Sequence, residues 1–123
     1  MDAFKQIRAL YWVGNSKKDL QALPEDVQDI FGFALHLAQE GGKHQQTKSL
    51  KGFSGAGVLE VVEDYNRNTY RAVYTVSFGS AVYVLHCFQK KSNSGIKTPG
   101  HDIALIKSRL KLAEAHSRGE TND

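Results

Sequence analysis

Three runs of strand-forming residues, roughly Val58–Tyr65, Thr69–Phe78 and Ala81–Gln89, follow one another with gaps too short to hold a helix. The gaps, Asn66-Arg67-Asn68 and Gly79-Ser80, consist mostly of residues that favour tight turns. A parallel pair needs a crossover of a dozen or more residues, so these strands are predicted to form an antiparallel meander. In the middle run Tyr70, Ala72, Tyr74, Val76 and Phe78 alternate with Arg71, Val73, Thr75 and Ser77. The first set is predicted to face a helical layer and the second to face away from it. In the last run Val82, Val84, His86, Phe88 and Lys90 share one face, and Tyr83, Leu85, Cys87 and Gln89 the other. Periodicity leaves open which of these sets joins Arg71.

Ahead of the meander, Val27, Ile30, Phe31, Ala34, Leu35 and Ala38 draw a continuous apolar stripe at helical spacing. Pro24 suits the first turn of that helix, Glu25 and Asp26 suit its positive end, and Gly41-Gly42 ends it. Ser16 can cap a shorter helix through Leu20, giving a helical hairpin. Ile7 to Val13 reads as a first strand with Ile7, Ala9, Tyr11 and Val13 on one face and Leu10 and Trp12 on the other. Both faces are apolar enough to be covered on both sides. Residues 43–57 read as a polar, basic connection. Thr98-Pro99 supplies an N-cap and a first-turn proline for a last helix to about His116. Its inner stripe is Ile103, Ile106, Leu110 and Ala113, with Lys107, Arg109 and Lys111 mostly solvated and residues 117–123 fraying.

With no internal repeat or linker, residues 1–123 read as one α+β domain in the order β-α-α-β-β-β-α. The expected architecture is a small, mostly antiparallel sheet with the helical hairpin on one face and a C-terminal helix. The face opposite the hairpin is expected to carry an exposed Arg71 in a shallow basic concavity. The formal net charge of +3 fits an anionic partner. Cys87 is the only cysteine, so neither an intramolecular disulfide nor a cysteine-rich metal site can form, and it reads as a small buried hydrophobe. The absence of an apolar run of membrane-spanning length, or of an apolar N-terminal signal segment, points to the cytoplasm and away from a membrane.

The chemistry-bearing residues converge on the strands. A strand-borne arginine suits a phosphate, because its planar fork grips two oxygens and stays charged. Lysines beside it, with Lys51, Lys90 and Lys91 as candidates, neutralise charge on a phosphorane or a departing oxygen. RNA brings its own nucleophile in the 2′-hydroxyl, so its cleavage requires orientation, charge stabilisation and proton transfer. His86, Glu60 and Glu63 are the open choices for acid or base. Against this, Arg71 can be a cross-strand ion-pair partner of Glu60 or Glu63, His86 a satisfied strand histidine, and Lys90-Lys91 a solvated strand end. His36, His44, His86, His101 and His116 lack zinc-site spacing, and Gly52 to Gly57 lacks the Lys-Ser/Thr ending of a phosphate-binding loop. No metal or cofactor is expected.

Four ordered segments resemble the RelE/HigB superfamily of type II toxin-antitoxin toxins, in particular its phage-derived HigB-like branch. They are Ile7-Arg8-Ala9-Leu10-Tyr11-Trp12, Lys48-Ser49-Leu50-Lys51-Gly52, Tyr70-Arg71-Ala72-Val73-Tyr74, and Leu85-His86-Cys87-Phe88-Gln89-Lys90-Lys91 leading to Thr98-Pro99. The link from Ser92 to Lys97 is longer than usual for that family. The resemblance implies a metal-independent endoribonuclease that cuts mRNA on the ribosome. Its implied partner is a helix-turn-helix antitoxin, held in a toxin-antitoxin hetero-oligomer. Arg71 then corresponds to the phosphate-binding arginine, Lys51 to a loop lysine, and Lys90 and Lys91 to the basic strand end, with His86 a further catalytic candidate. Lys43, Lys48, Arg67 and Lys97 are the additional cations expected to contact RNA. Some superfamily members poison gyrase, so the alternative is a non-catalytic member that acts by protein binding: a gyrase poison or an inactive phage protein.

Overall fold

The computed structural model describes residues 7–53, 55, 57–90 and 98–119. The chain runs β1 (Leu10–Trp12), α1 (Ser16–Gln21), α2 (Glu25–Gln39), β2 (Thr47–Ser49), β3 (Val58–Tyr65), β4 (Asn68–Thr75), β5 (Val82–Lys90) and α3 (Gly100–Ser117). Five strands form one mixed sheet in the order β1-β5-β4-β3-β2. The β3–β4–β5 meander and the β2–β3 pair are antiparallel, and β1 joins β5 in parallel. The α+β class, the helical hairpin and the meander are as the sequence predicts, with one strand more.

That extra strand is β2, inside the stretch expected to be a polar connection. Its three residues, Thr47, Lys48 and Ser49, carry no apolar alternation and are held by their register against Val61, Glu60 and Leu59. The hairpin between β3 and β4 is tighter than expected: Tyr65 pairs with Asn68 and only Asn66 and Arg67 turn the chain. Both have positive φ, at 54° and 68°, as a turn matching the sheet's twist requires. At the end of α2, Gly41 takes φ 91°, and the amides of Gly41 and Gly42 bond to the carbonyls of Ala38 and Leu37. This 5→2 and 6→1 pair is the reason two glycines stop the helix there.

The sheet is covered on both faces. On one, Val27, Phe31, Ala34, Leu35 and Ala38 of α2 pack with Leu20 of α1 onto Val61, Ala72, Tyr74, Val82 and Val84. On the other, Ile106 and Ala113 of α3, joined by Ile103 and Leu110, pack onto Val73, Tyr83, Leu85 and Phe88. Each fully buried side chain of this kind contributes roughly 1.5–3 kcal/mol. The face opposite the hairpin is therefore a second core under α3, where the sequence had suggested an open concavity.

A β-bulge settles which residues of β5 share a face with Arg71. The register passes from Val73↔His86 to Tyr74↔Val84, leaving Leu85 unpaired on β4. Tyr83 and Leu85 thereby join His86 and Phe88 under α3, while Val82 and Val84 join Cys87 under α2. Neither set in the simple alternation survives whole. Further corrections follow from burial. Tyr11 and Ile7 are exposed, so β1 is an edge strand with only Leu10 and Trp12 packed under the hairpin. Phe78 lies beyond the end of β4 and packs on the α3 side. Arg109, expected in solvent, is 8% exposed. Ser16 and Thr98 cap nothing: the Ser16 hydroxyl donates to the Val84 carbonyl at 3.1 Å, and Pro99 occupies the N-cap of α3. The end of the expected frayed tail, residues 120–123, lies outside the described residues.

Candidate functional site

The strand register carries one row of residues across the α3 face: Lys48 opposite Glu60, Glu60 opposite Val73, and Val73 opposite His86. Arg71 stands in the next row, opposite Val62 and Phe88. Where β2 and the loop after it meet the first turn of α3, the sheet stays partly uncovered. A cleft of about 420 Å³ opens there, lined by Lys48, Leu50, Lys51, Glu60, Arg71, Thr98 and Ile103 among others.

At its floor the Arg71 Nη1 donates to Glu60 Oε1 at 2.7 Å and to Thr98 Oγ1 at 3.0 Å. The two charged residues are diagonal neighbours on one face, and both are buried, 4% and 3% exposed. An unpaired guanidinium could not be buried so deeply without great cost. The cross-strand partner that the sequence left open is thus Glu60, and the expectation of an exposed Arg71 is corrected. Glu63 sits opposite Tyr70, on the hairpin side of the sheet, where it accepts from Gln46 Nε2 at 2.6 Å. It does not share the cleft.

The lysines divide by position. Lys48 and Lys51 are exposed and form the cationic rim, Lys48 because β2 sets it directly opposite Glu60. Lys90, opposite Thr69, is buried at 8% exposure. Desolvation pulls its ammonium below the usual lysine pKa; the Arg71 and Lys48 charges push the same way, and Glu60 opposes them. Lys90 therefore shares the electrostatic environment of the cleft. Lys43 and Arg67 are exposed but do not line it, and Lys91 and Lys97 lie outside the described residues.

His86 also stays out of the cleft lining. Its Nε2 lies 2.8 Å from Asp102 Oδ1, its Nδ1 3.6 Å from Asp19 Oδ2, and its ring stacks on Phe88 with centroids 4.5 Å apart. Cys87 is buried on the hairpin side, and burial pushes its thiol up to about 12, too high to supply a thiolate. The sequence missed Thr98 as a ligand of Arg71, and Leu50 and Ile103 as apolar walls. The Thr-Pro pair before a helix was itself visible, but the same letters spell an ordinary cap. Among the described residues, no cluster of three or more His, Cys, Asp or Glu is arranged to hold a metal ion, and no helix is long and apolar enough to cross a membrane.

Fold and cleft together define a small α+β protein whose mixed sheet, packed on both faces, opens beside its last helix onto a cation-rimmed cleft with a buried Arg–Glu pair. Residues 18–111 match the family model described as phage derived protein Gp49-like (DUF891), and the chain belongs to that family. No curated protein and no solved structure matches it.

Proposed function

We propose that this chain is the toxin of a type II toxin-antitoxin system, of the HigB-like branch, and that it cuts mRNA on the ribosome without a metal. The observation that carries this reading is the cleft: Arg71 and Glu60 paired on its floor, with Lys48 and Lys51 at its rim. Membership in a phage-derived family agrees with a toxin's genetic setting. In the proposed reaction Arg71 holds the scissile phosphate with its fork. Glu60 accepts the 2′-hydroxyl proton, being the one carboxylate of the three candidate acid–base residues that lines the cleft. The 2′-oxygen forms a bond to phosphorus while the bond to the 5′-oxygen breaks. The leaving oxygen takes a proton from Lys90, whose desolvation eases its release. Lys48 and Lys51 neutralise the charge that gathers on the phosphorane. The proposed partners are ribosome-bound mRNA and an antitoxin with a helix-turn-helix domain that carries an acidic segment over the cleft.

The test is purified protein added to translating ribosomes: discrete cuts in mRNA support the reading, and intact mRNA with continued translation removes it. One observation favours a second reading. Arg71 already has Glu60 and Thr98 as partners, so a phosphate must compete for it. In a non-catalytic member that acts by binding a protein such as gyrase, the same pair would serve only the fold. Growth inhibition that survives Glu60→Gln and Lys51→Ala unchanged would select that reading.

A further inference from the structure

A second polar cluster lies under α3, away from the cleft. Asp102, in the first turn of α3, faces His86 of β5 at 2.8 Å, and both are buried. Arg109, two turns further along the same helix, donates from Nη1 to the Leu85 carbonyl at 2.8 Å and to Asp19 of α1 at 3.3 Å. Leu85 is the bulge residue, unpaired on β4, so Arg109 supplies a donor that the neighbouring strand does not. Gly14, at φ 59°, makes room: a Cβ there would stand 2.8 Å from Arg109 Nε. The charged groups facing His86 are thus Asp19 from α1 and Asp102 from α3, with Arg109 bound to Asp19 and the exposed His101 3.4 Å from Asp102.

The first turn of α3 is also a wall of the cleft, through Ile103, and Thr98 just ahead of it holds Arg71. Phe88, on which His86 stacks, is the cross-strand neighbour of Arg71. His86 therefore touches both supports of Arg71, the helix start and the strand beside it, while its own ring stays out of the cleft.

We propose that His86, through its bond to Asp102, is a positioning residue: it docks the first turn of α3 onto β5 and so fixes Thr98 and Ile103 against Arg71. The proton moved in the reaction is not its own. This rests on the proposed function only for its catalytic consequence; the docking itself does not.

The test compares His86→Ala with His86→Gln. In glutamine the nitrogen sits as many bonds from Cβ as the histidine Nε2, so it can donate to Asp102, but it cannot act as a general acid. Two quantities are read. The first is amide hydrogen exchange at residues 102–106 together with the Arg71 guanidinium NMR signals; the second is mRNA cleavage on ribosomes. His86→Ala is expected to speed exchange there by about ten-fold or more as local opening becomes easier, and to shift the Arg71 signals. His86→Gln is expected to restore both and to keep cleavage within about three-fold of wild type, against a loss of about 100-fold or more for a missing general acid. Unchanged exchange and Arg71 signals in His86→Ala overturn the inference. So does a glutamine variant with wild-type exchange and abolished cleavage. If the wild type cuts no mRNA, the functional reading falls by itself, and the exchange and guanidinium signals still decide the docking.

Discussion

The molecule buries two arginines on the same side of its sheet, and their surroundings separate a candidate site from a fastening. Arg71 is 4% exposed and Arg109 8%; Arg71 donates to Glu60 and Thr98, and Arg109 to Asp19 and the Leu85 carbonyl. Arg109 is walled in by Gly14, the bulge carbonyl and α1, and does not line the cleft. Arg71 sits on the floor of a cleft whose rim adds Lys48 and Lys51. Burial of a charge is thus no sign of function by itself. The lysines at the rim beside Arg71, and the open volume in front of it, are what set it apart.

Arg71→Ala breaks the comparison open most widely. It should abolish cleavage, and, because it strands a buried Glu60, it should also cost about 3–5 kcal/mol of stability by urea unfolding. The double change Arg71→Met with Glu60→Leu should regain most of that stability and none of the activity. A single alanine variant as stable as wild type would show that Glu60 is not held as described. Arg109→Ala should cost less, about 1–3 kcal/mol for the uncompensated bulge carbonyl. Asp19 is half-buried and can turn to water, so its loss of a partner adds little.

At the rim, Lys51→Ala and Lys48→Ala should each lower the cleavage rate about ten-fold, near 1.4 kcal/mol, with no change in unfolding midpoint. Equal losses of stability would make them fastenings like Arg109. A pH profile reads the part played by Lys90. Its ammonium is needed protonated, and its pKa is lowered in the fold, so activity should fall as pH rises through a value below the ordinary lysine range. Lys90→Arg should cost about 100-fold in rate and remove that alkaline limb from the residual activity, since a guanidinium keeps its proton. A limb that stays where it was assigns the titration to another group.

Much of this contrast was legible before the fold was known, but unevenly. The alternation around Arg71 gave its face correctly, and the stripe from Val27 to Ala38 gave the helix that covers the other one. Strand β2 was not legible, since Thr47, Lys48 and Ser49 have no pattern of their own and owe their shape to β3. Its absence hid the pairing of Lys48 with Glu60. The bulge at Leu85 was equally silent, because an inserted residue leaves the letters of an alternating strand unchanged while it rotates half of them. Arg109 misled for a third reason: next to Lys107 and Lys111 it reads as one more solvated cation, and only the unpaired carbonyl of Leu85 explains why it turns inward.

The most direct measurement is the chemistry of the RNA ends produced when the purified protein acts on translating ribosomes. Attack by the 2′-hydroxyl leaves a 2′,3′-cyclic phosphate, or the 3′-phosphate it opens to, on one fragment and a 5′-hydroxyl on the other. The expected result is cuts with those ends, lost together in Arg71→Ala and in the Arg71→Met, Glu60→Leu double variant, whose stability is retained. Uncut mRNA, or cuts that persist in the stable double variant, would contradict the assignment of the cleft.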